Sequence, residues 1–169
     1  MRGGPFKRQS NARHRFMKVE GQFKFDGVAP LAVWGFLTDV NRIAECLPGC
    51  EELVKTGEET YDIKMKFGVG SISGTFSGSI RLHDLQPTSE YQMSVNGTGA
   101  PGFVKGEGKI QLTPDDTSTL LQYSGGVSAG GPLASLGQRM IGGAARMVID
   151  QFFKCVAGKL GDQPQITEI

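Results

Sequence analysis

From Cys50 to Gly130 the apolar residues return at every second position. In "ETYDIKMKFGVG" Tyr61, Ile63, Met65 and Phe67 share one parity, while Thr60, Asp62, Lys64 and Lys66 take the other. "SISGTFSGSIRLHDL" repeats this, with Ile72, Gly74, Phe76, Gly78, Ile80 and Leu82 set against serines, Thr75, Arg81 and His83. Tyr91, Met93 and Val95 follow, then Val104, Ile110 and Leu112, then Leu121, Tyr123 and Val127. A period of two places successive side chains on opposite faces of a strand. Sustained over so many segments, it dictates an antiparallel sheet with one wet face and one covered face. Glycines inside the strands mark bends or bulges that let such a sheet curl.

The cover comes from the flanking segments. "MKVEGQFKF" alternates and supplies a first strand, with Val19, Phe23 and Phe25 inward. "VAPLAVWGFLTDVNRIAECLPG" then changes to helical spacing. Pro30 suits a first helical turn, and Leu31, Trp34 and Leu37 recur at three-residue steps. Asp39 caps a second short helix carrying Val40, Ile43 and Leu47, which Pro48-Gly49 stops. The run "GGPLASLGQRMIGGAARMVIDQFFKCVAGKL" reads as one long helix begun by Pro132. Its apolar stripe is Leu136, Met140, Ala144, Met147, Val148, Phe152 and Cys155. The expected class is α+β: a curled antiparallel sheet of about seven strands gripping a long C-terminal helix, with two short helices after strand 1.

The length of 169 residues suits one domain with a core that needs neither metal nor disulfide. We divide it into a basic leader at 1–16, a folded domain at 17–161 and a tail at 162–169. The leader holds Arg2, Lys7, Arg8, Arg13 and Arg15 and no acid, so the net charge of +1 hides a mildly acidic domain. Three readings of the leader stay open: an extension upstream of a start at Met17, a basic arm for an anionic surface, or a targeting peptide. Three cysteines, Cys46, Cys50 and Cys155, argue for a reducing compartment and against a disulfide scaffold. No apolar run approaches the roughly 20 residues that span a bilayer. A cytoplasmic protein, with at most peripheral contact at the inner face of the cell membrane, is expected.

Catalytic and metal motifs are sparse. His83 is the domain's one histidine, and neither a nucleophile elbow nor a phosphate-binding loop occurs. Cys46 and Cys50 have no neighbouring histidine to complete a metal site. Aromatic residues are not interleaved with a basic patch, so nucleic acid is not an expected partner. Binding is favoured over catalysis.

Small residues crowd the covering helix at Gly142, Gly143, Ala144 and Ala145, beside Met140 and Met147. Facing Gly74 and Gly78 across the sheet, they leave two alternatives open. Either they preserve an apolar pocket, with methionines adapting to its contents, or they permit close helix–sheet approach and the space is filled.

"CLPGCEELVKTGEETYDIKMKFGVGSISGTFSGSIRL" followed by "GGPLASLGQRMIGGAARMVIDQFF" resembles the CoxG family, the G-type subunits of carbon monoxide dehydrogenase, within the START-like (Bet v 1-like) helix-grip superfamily. The resemblance runs from about Met17 to Leu160. It implies the same fold, with a hydrophobic cavity beneath the long helix. It also implies a non-catalytic accessory role beside a molybdenum carbon monoxide dehydrogenase-type complex, in membrane docking or in handling a lipophilic electron acceptor. No covalent cofactor is expected; the ligand would be a non-covalent quinone or lipid. On this reading it lies under Met140, Ala144, Met147 and Phe152, opposite Met65, Phe67, Phe76 and Met93. Phe36, Ile43 and Leu47 stand near the mouth, and the glycine-rich "VNGTGAPGFVKG", with Phe103, forms an entrance flap. The alternatives are a cyclase-like enzyme on the same fold, which needs polar groups inside and finds Tyr61, Tyr91 and Tyr123, or a structural docking protein with a filled core.

Overall fold

The computed structural model describes residues 17–161; the readings made of 1–16 and 162–169 lie outside the described residues. Strand β1 (Met17–Phe25) leads into helices α1 (Pro30–Leu37) and α2 (Val40–Cys46). Six strands follow: β2 (Cys50–Gly57), β3 (Thr60–Val69), β4 (Ile72–Gln86), β5 (Glu90–Gly99), β6 (Gly102–Asp115) and β7 (Ser118–Gly130). A 3-10 turn at Gly131–Leu136 then delivers helix α3 (Gln138–Gly161).

All seven strands form one sheet in the order β1-β7-β6-β5-β4-β3-β2. Strands β2 to β7 each pair antiparallel with their sequence neighbours. Strand β1 joins the far side of β7, with Met17 opposite Val127 and Phe25 opposite Thr119. The register carries one inward row across the sheet: Tyr61, Ile80, Val95, Gly106, Val127 and Met17. The sequence period therefore maps directly onto the sheet's two faces.

The helices depart from the sequence reading in three places. Helix α1 buries Val33, Trp34, Phe36 and Leu37, while Leu31 stays 71% exposed. The buried face is thus rotated from the expected i, i+3 series. Second, Pro132 does not start the long helix; it sits in the 3-10 turn. Gly137, at φ +86°, separates that turn from α3, and its carbonyl accepts from the Ile141 amide at 3.2 Å. A side chain rarely tolerates that backbone conformation, so the break falls on glycine.

The third departure is covalent. Cys46, the last residue of α2, forms a disulfide with Cys155 of α3, with Cα atoms 5.5 Å apart. The expectation of unpaired thiols is corrected. The pair is separated by 109 residues of sequence, so only the packing of α2 on α3 brings it together. Cys50 remains a free thiol.

The core is divided. A large cluster gathers Phe25, Trp34, Phe36, Tyr91, Leu121, Phe153, Val156 and Leu160 under α1 and the C-terminal half of α3. Phe23, Phe25, Tyr123 and Phe152 all lie against Phe153, with ring centroids 4.9–6.2 Å apart within this group. Such tilted and edge-on contacts are favoured by the ring quadrupoles. A small cluster of Val69, Leu133, Ile141 and Ala144 lies under the N-terminal end of α3.

Candidate functional site: the gap between the two cores

Between the clusters lies the middle of the sheet's concave face. Ile63 and Met65 of β3, Val95 of β5, Val148 of α3, and Ile43 and Leu47 in and just after α2 are half-buried and belong to neither cluster. In a close-packed interior each would be sealed by neighbours. Here six apolar side chains stay half-buried outside either core.

Three glycines stand beside Val95 and Met93 in the sheet register. A Cβ placed on Gly97, Gly106 or Gly108 would meet nothing closer than 3.7, 3.5 and 3.4 Å respectively. These are ordinary contact distances, and none of the three has a positive φ. Backbone geometry does not require glycine there, and a Cβ would fit at each position without a clash. Other glycines serve close approach. A Cβ on Gly78 would overlap the Asn96 carbonyl, and one on Gly142 would stand 2.5 Å from the Met17 sulfur. Gly143 meets nothing and is exposed.

Tyr91 marks the floor. It is 5% exposed, and its ring meets Trp34 edge-on at 5.6 Å. Its hydroxyl pKa is raised, by burial first and by the neighbouring Tyr61 second. Among the described residues it makes no hydrogen bond, yet no buried side-chain oxygen is sealed off without a partner. The Tyr61 hydroxyl pKa is raised too, by burial first and then by the carboxylates of Glu59 and Asp39.

The structure gathers only some of the residues named from sequence. Ile43, Leu47 and Met65 are half-buried and belong to neither cluster. Met93 and Phe152 pack on the edge of the large cluster, and Phe67 and Phe76 on the small one. Ala144 belongs to the small cluster itself. Phe36 is wholly buried, with the Arg42 guanidinium 4.5 Å over its ring. Met140 and Met147 are 46% and 56% exposed on α3. Phe103 has the parity opposite to Val104 and packs over Gly130. The segment read as a flap is the β5–β6 hairpin, in which the carbonyl of buried Pro101 accepts from the Leu133 amide at 2.9 Å. Sequence reasoning placed Val148 in the apolar stripe of the long helix but not in the site, and it passed over Gly97, Gly106 and Gly108. For the glycines a signal was available: Gly97 shares the parity of Val95, and Gly106 and Gly108 share that of Val104.

Two surface hollows lie elsewhere. One of about 530 Å³ runs along the end of β7 beside the 3-10 turn, between Met17, Phe103, Val127 and Ile141. The other, about 460 Å³, lies against β4–β7 between His83, Gln92, Glu107, Lys109 and Ser124. In it His83 Nδ1 meets Asp84 Oδ2 at 3.0 Å, and Nε2 stands 3.5 Å from Ser94 Oγ. That second distance is at the outer limit of a hydrogen bond. The flanking strand amides are committed to sheet pairing, which leaves no backbone oxyanion donors there. Among the described residues no group of three or more His, Cys, Asp or Glu is placed to hold a metal, and no helix is long and apolar enough to cross a membrane.

A seven-stranded curled antiparallel sheet, two short helices after its first strand and a long helix across its concave face define a START-like helix-grip protein. The chain belongs to the CoxG family, the G-type subunits of carbon monoxide dehydrogenase, whose model matches residues 21–161. Among solved structures it is similar to a conserved protein from Geobacillus kaustophilus, with 34% identity, TM-score 0.82, and coverage of 86% of this chain and 95% of that one. A START superfamily protein from Mycobacterium smegmatis shares the fold at 14% identity and TM-score 0.65, covering 85% and 97%. So does the Zhui aromatase/cyclase from Streptomyces sp. R1128, at 16% identity and TM-score 0.64, covering 86% and 94%. A search among curated proteins returns no match.

Proposed function

We propose that this protein is a non-catalytic accessory protein that holds a lipophilic small molecule between α3 and the concave face of the sheet. One observation carries the reading: the core is split, and the apolar residues between its halves, Ile63, Met65, Val95 and Val148, are half-open above glycines that nothing forces to be glycine. Covering apolar ligand area there supplies on the order of 25 cal/mol per Å² before ordering costs. The ligand we favour is quinone- or lipid-like: long, apolar, with a small oxygen-bearing head. Membership of the CoxG family supports a partner of the molybdenum carbon monoxide dehydrogenase type, for which the protein would handle an electron acceptor or aid membrane docking. A cyclase-like activity finds less support. The inward polar groups are the Tyr61, Tyr91 and Tyr123 hydroxyls, and burial raises the first two away from acid–base use near neutrality.

Two variants test the reading. Gly106→Phe and Val148→Trp put bulk into the gap from opposite sides. Each is expected to weaken binding of a short-chain quinone, followed by tryptophan quenching, by about tenfold or more. The fold should persist by circular dichroism. Unaltered affinity in both folded variants refutes the location. Absence of any quinone or lipid from the chain by native mass spectrometry, with no uptake on addition, refutes the function.

A further inference from the structure

The Cys46–Cys155 disulfide ties together the two helices that flank the gap. Helix α2 is seven residues long, and Cys46 is its one buried residue. Of its other inward candidates, Val40 packs on the edge of the large cluster at the start of the helix, while Ile43 and Leu47, toward its end, are half-exposed and lie outside both core clusters. The second link from α2 to α3 is the Lys159–Glu45 ion pair, 3.4 Å long with both side chains about half exposed. Such a surface pair contributes little. The helix is bounded by Asp39 on one side and by Pro48 and Gly49, with φ +75° at Gly49, on the other. Its hold on α3 therefore rests largely on one covalent bond, in a helix that buries little else.

We propose that this disulfide is a redox-modification site, operated by a dithiol reductant, that latches α2 onto α3 and controls passage into the gap. The chemistry is thiol–disulfide exchange. A thiolate of the reductant attacks the half-buried Cys155 sulfur, and the Cys46 sulfur leaves as a thiolate. The reductant's second thiolate then displaces Cys155, taking the mixed disulfide apart. Two electrons and two protons pass to the protein, which ends with two thiols, while the reductant ends as its own disulfide. Cys50 is a poor internal attacker, because burial raises its thiol pKa and depletes the thiolate near neutrality. The reductant must come from outside the chain. Control of passage rests on the proposed ligand function; the latch itself does not.

The test uses the full chain, purified without reductant and then with dithiothreitol. Iodoacetamide in denaturant should label one cysteine before reduction and three after it. Amide hydrogen exchange over 40–47 should then rise about tenfold or more relative to β5 and β6. Cys155→Ser should show the fast pattern with or without dithiothreitol. Labelling of three cysteines at the outset overturns the proposal. So does a rise in exchange that is uniform along the chain, which marks a staple and not a latch. Uptake of a short-chain quinone, measured by stopped flow, should quicken about tenfold on reduction. No change in uptake alongside a selective rise at 40–47 overturns the control of passage. A chain that takes up no quinone in either state overturns the ligand function, while the exchange result still decides the latch.

Discussion

Tyr91 places a phenol where water is scarce, and that has a measurable pH consequence. Burial, with a smaller effect from Tyr61, raises its pKa in the folded chain, whereas the unfolded chain ionises near pH 10. Above that pH the unfolded chain releases a proton that the folded chain keeps. The tyrosine's contribution is thus fully present below about pH 10 and is lost as pH climbs toward the folded value. Tyr91→Phe should flatten the fall of the thermal midpoint between about pH 10 and 11.5. Parallel slopes for the variant and the parent chain would refute the burial of that hydroxyl. Glycine shows the limit of residue-level reading. Gly78 and Gly106 share a parity, yet a Cβ would clash with a carbonyl at the first and meet only ordinary contact distances at the second. Local sequence carries no signal that separates them, because the difference lies in what a neighbouring strand brings near.

Helix α2 is an element that local chemistry fully specifies. Asp39 Oδ1 accepts from the Asn41 amide at 3.0 Å and from the Arg42 amide at 3.5 Å. These are donors that the helix leaves unsatisfied at its first turn. With so short a helix and so little burial, the cap matters. Asp39→Ala should cost about 1 kcal/mol, seen as a midpoint lowered by roughly 2–4 °C, while Asp39→Asn should recover most of it. An unshifted midpoint in the alanine variant would show that the cap adds nothing to what the disulfide and packing already hold. The strands were legible for a similar reason: a period of two needs no knowledge of partners. The phase of α1 was not legible. Its mixture of Leu31, Val33, Trp34, Phe36 and Leu37 is apolar all round, and only its contacts with the sheet chose which face to bury. The start of α3 was missed because Pro132 is as suitable for a 3-10 turn as for an α-helix, and the decisive residue was Gly137.

At the scale of the molecule, two cores that share a sheet but not their side chains should behave independently. Ile141→Val in the small cluster and Leu160→Ala in the large one are expected to cost roughly 0.5–1.5 and 2–5 kcal/mol. Their double variant should match the sum within about 0.5 kcal/mol in chemical denaturation. A coupling well beyond that would mean that the gap is bridged by protein. The sequence by itself determined the order of elements, the covered face of the sheet, the cap of α2 and the family, because these depend on periodicity, propensity and short motifs. Only the tertiary structure decided the division of the core, the pairing of Cys46 with Cys155 and the residues bordering the gap. Those depend on how far apart α3 and the sheet come to rest, a distance set by contacts between residues remote in the chain.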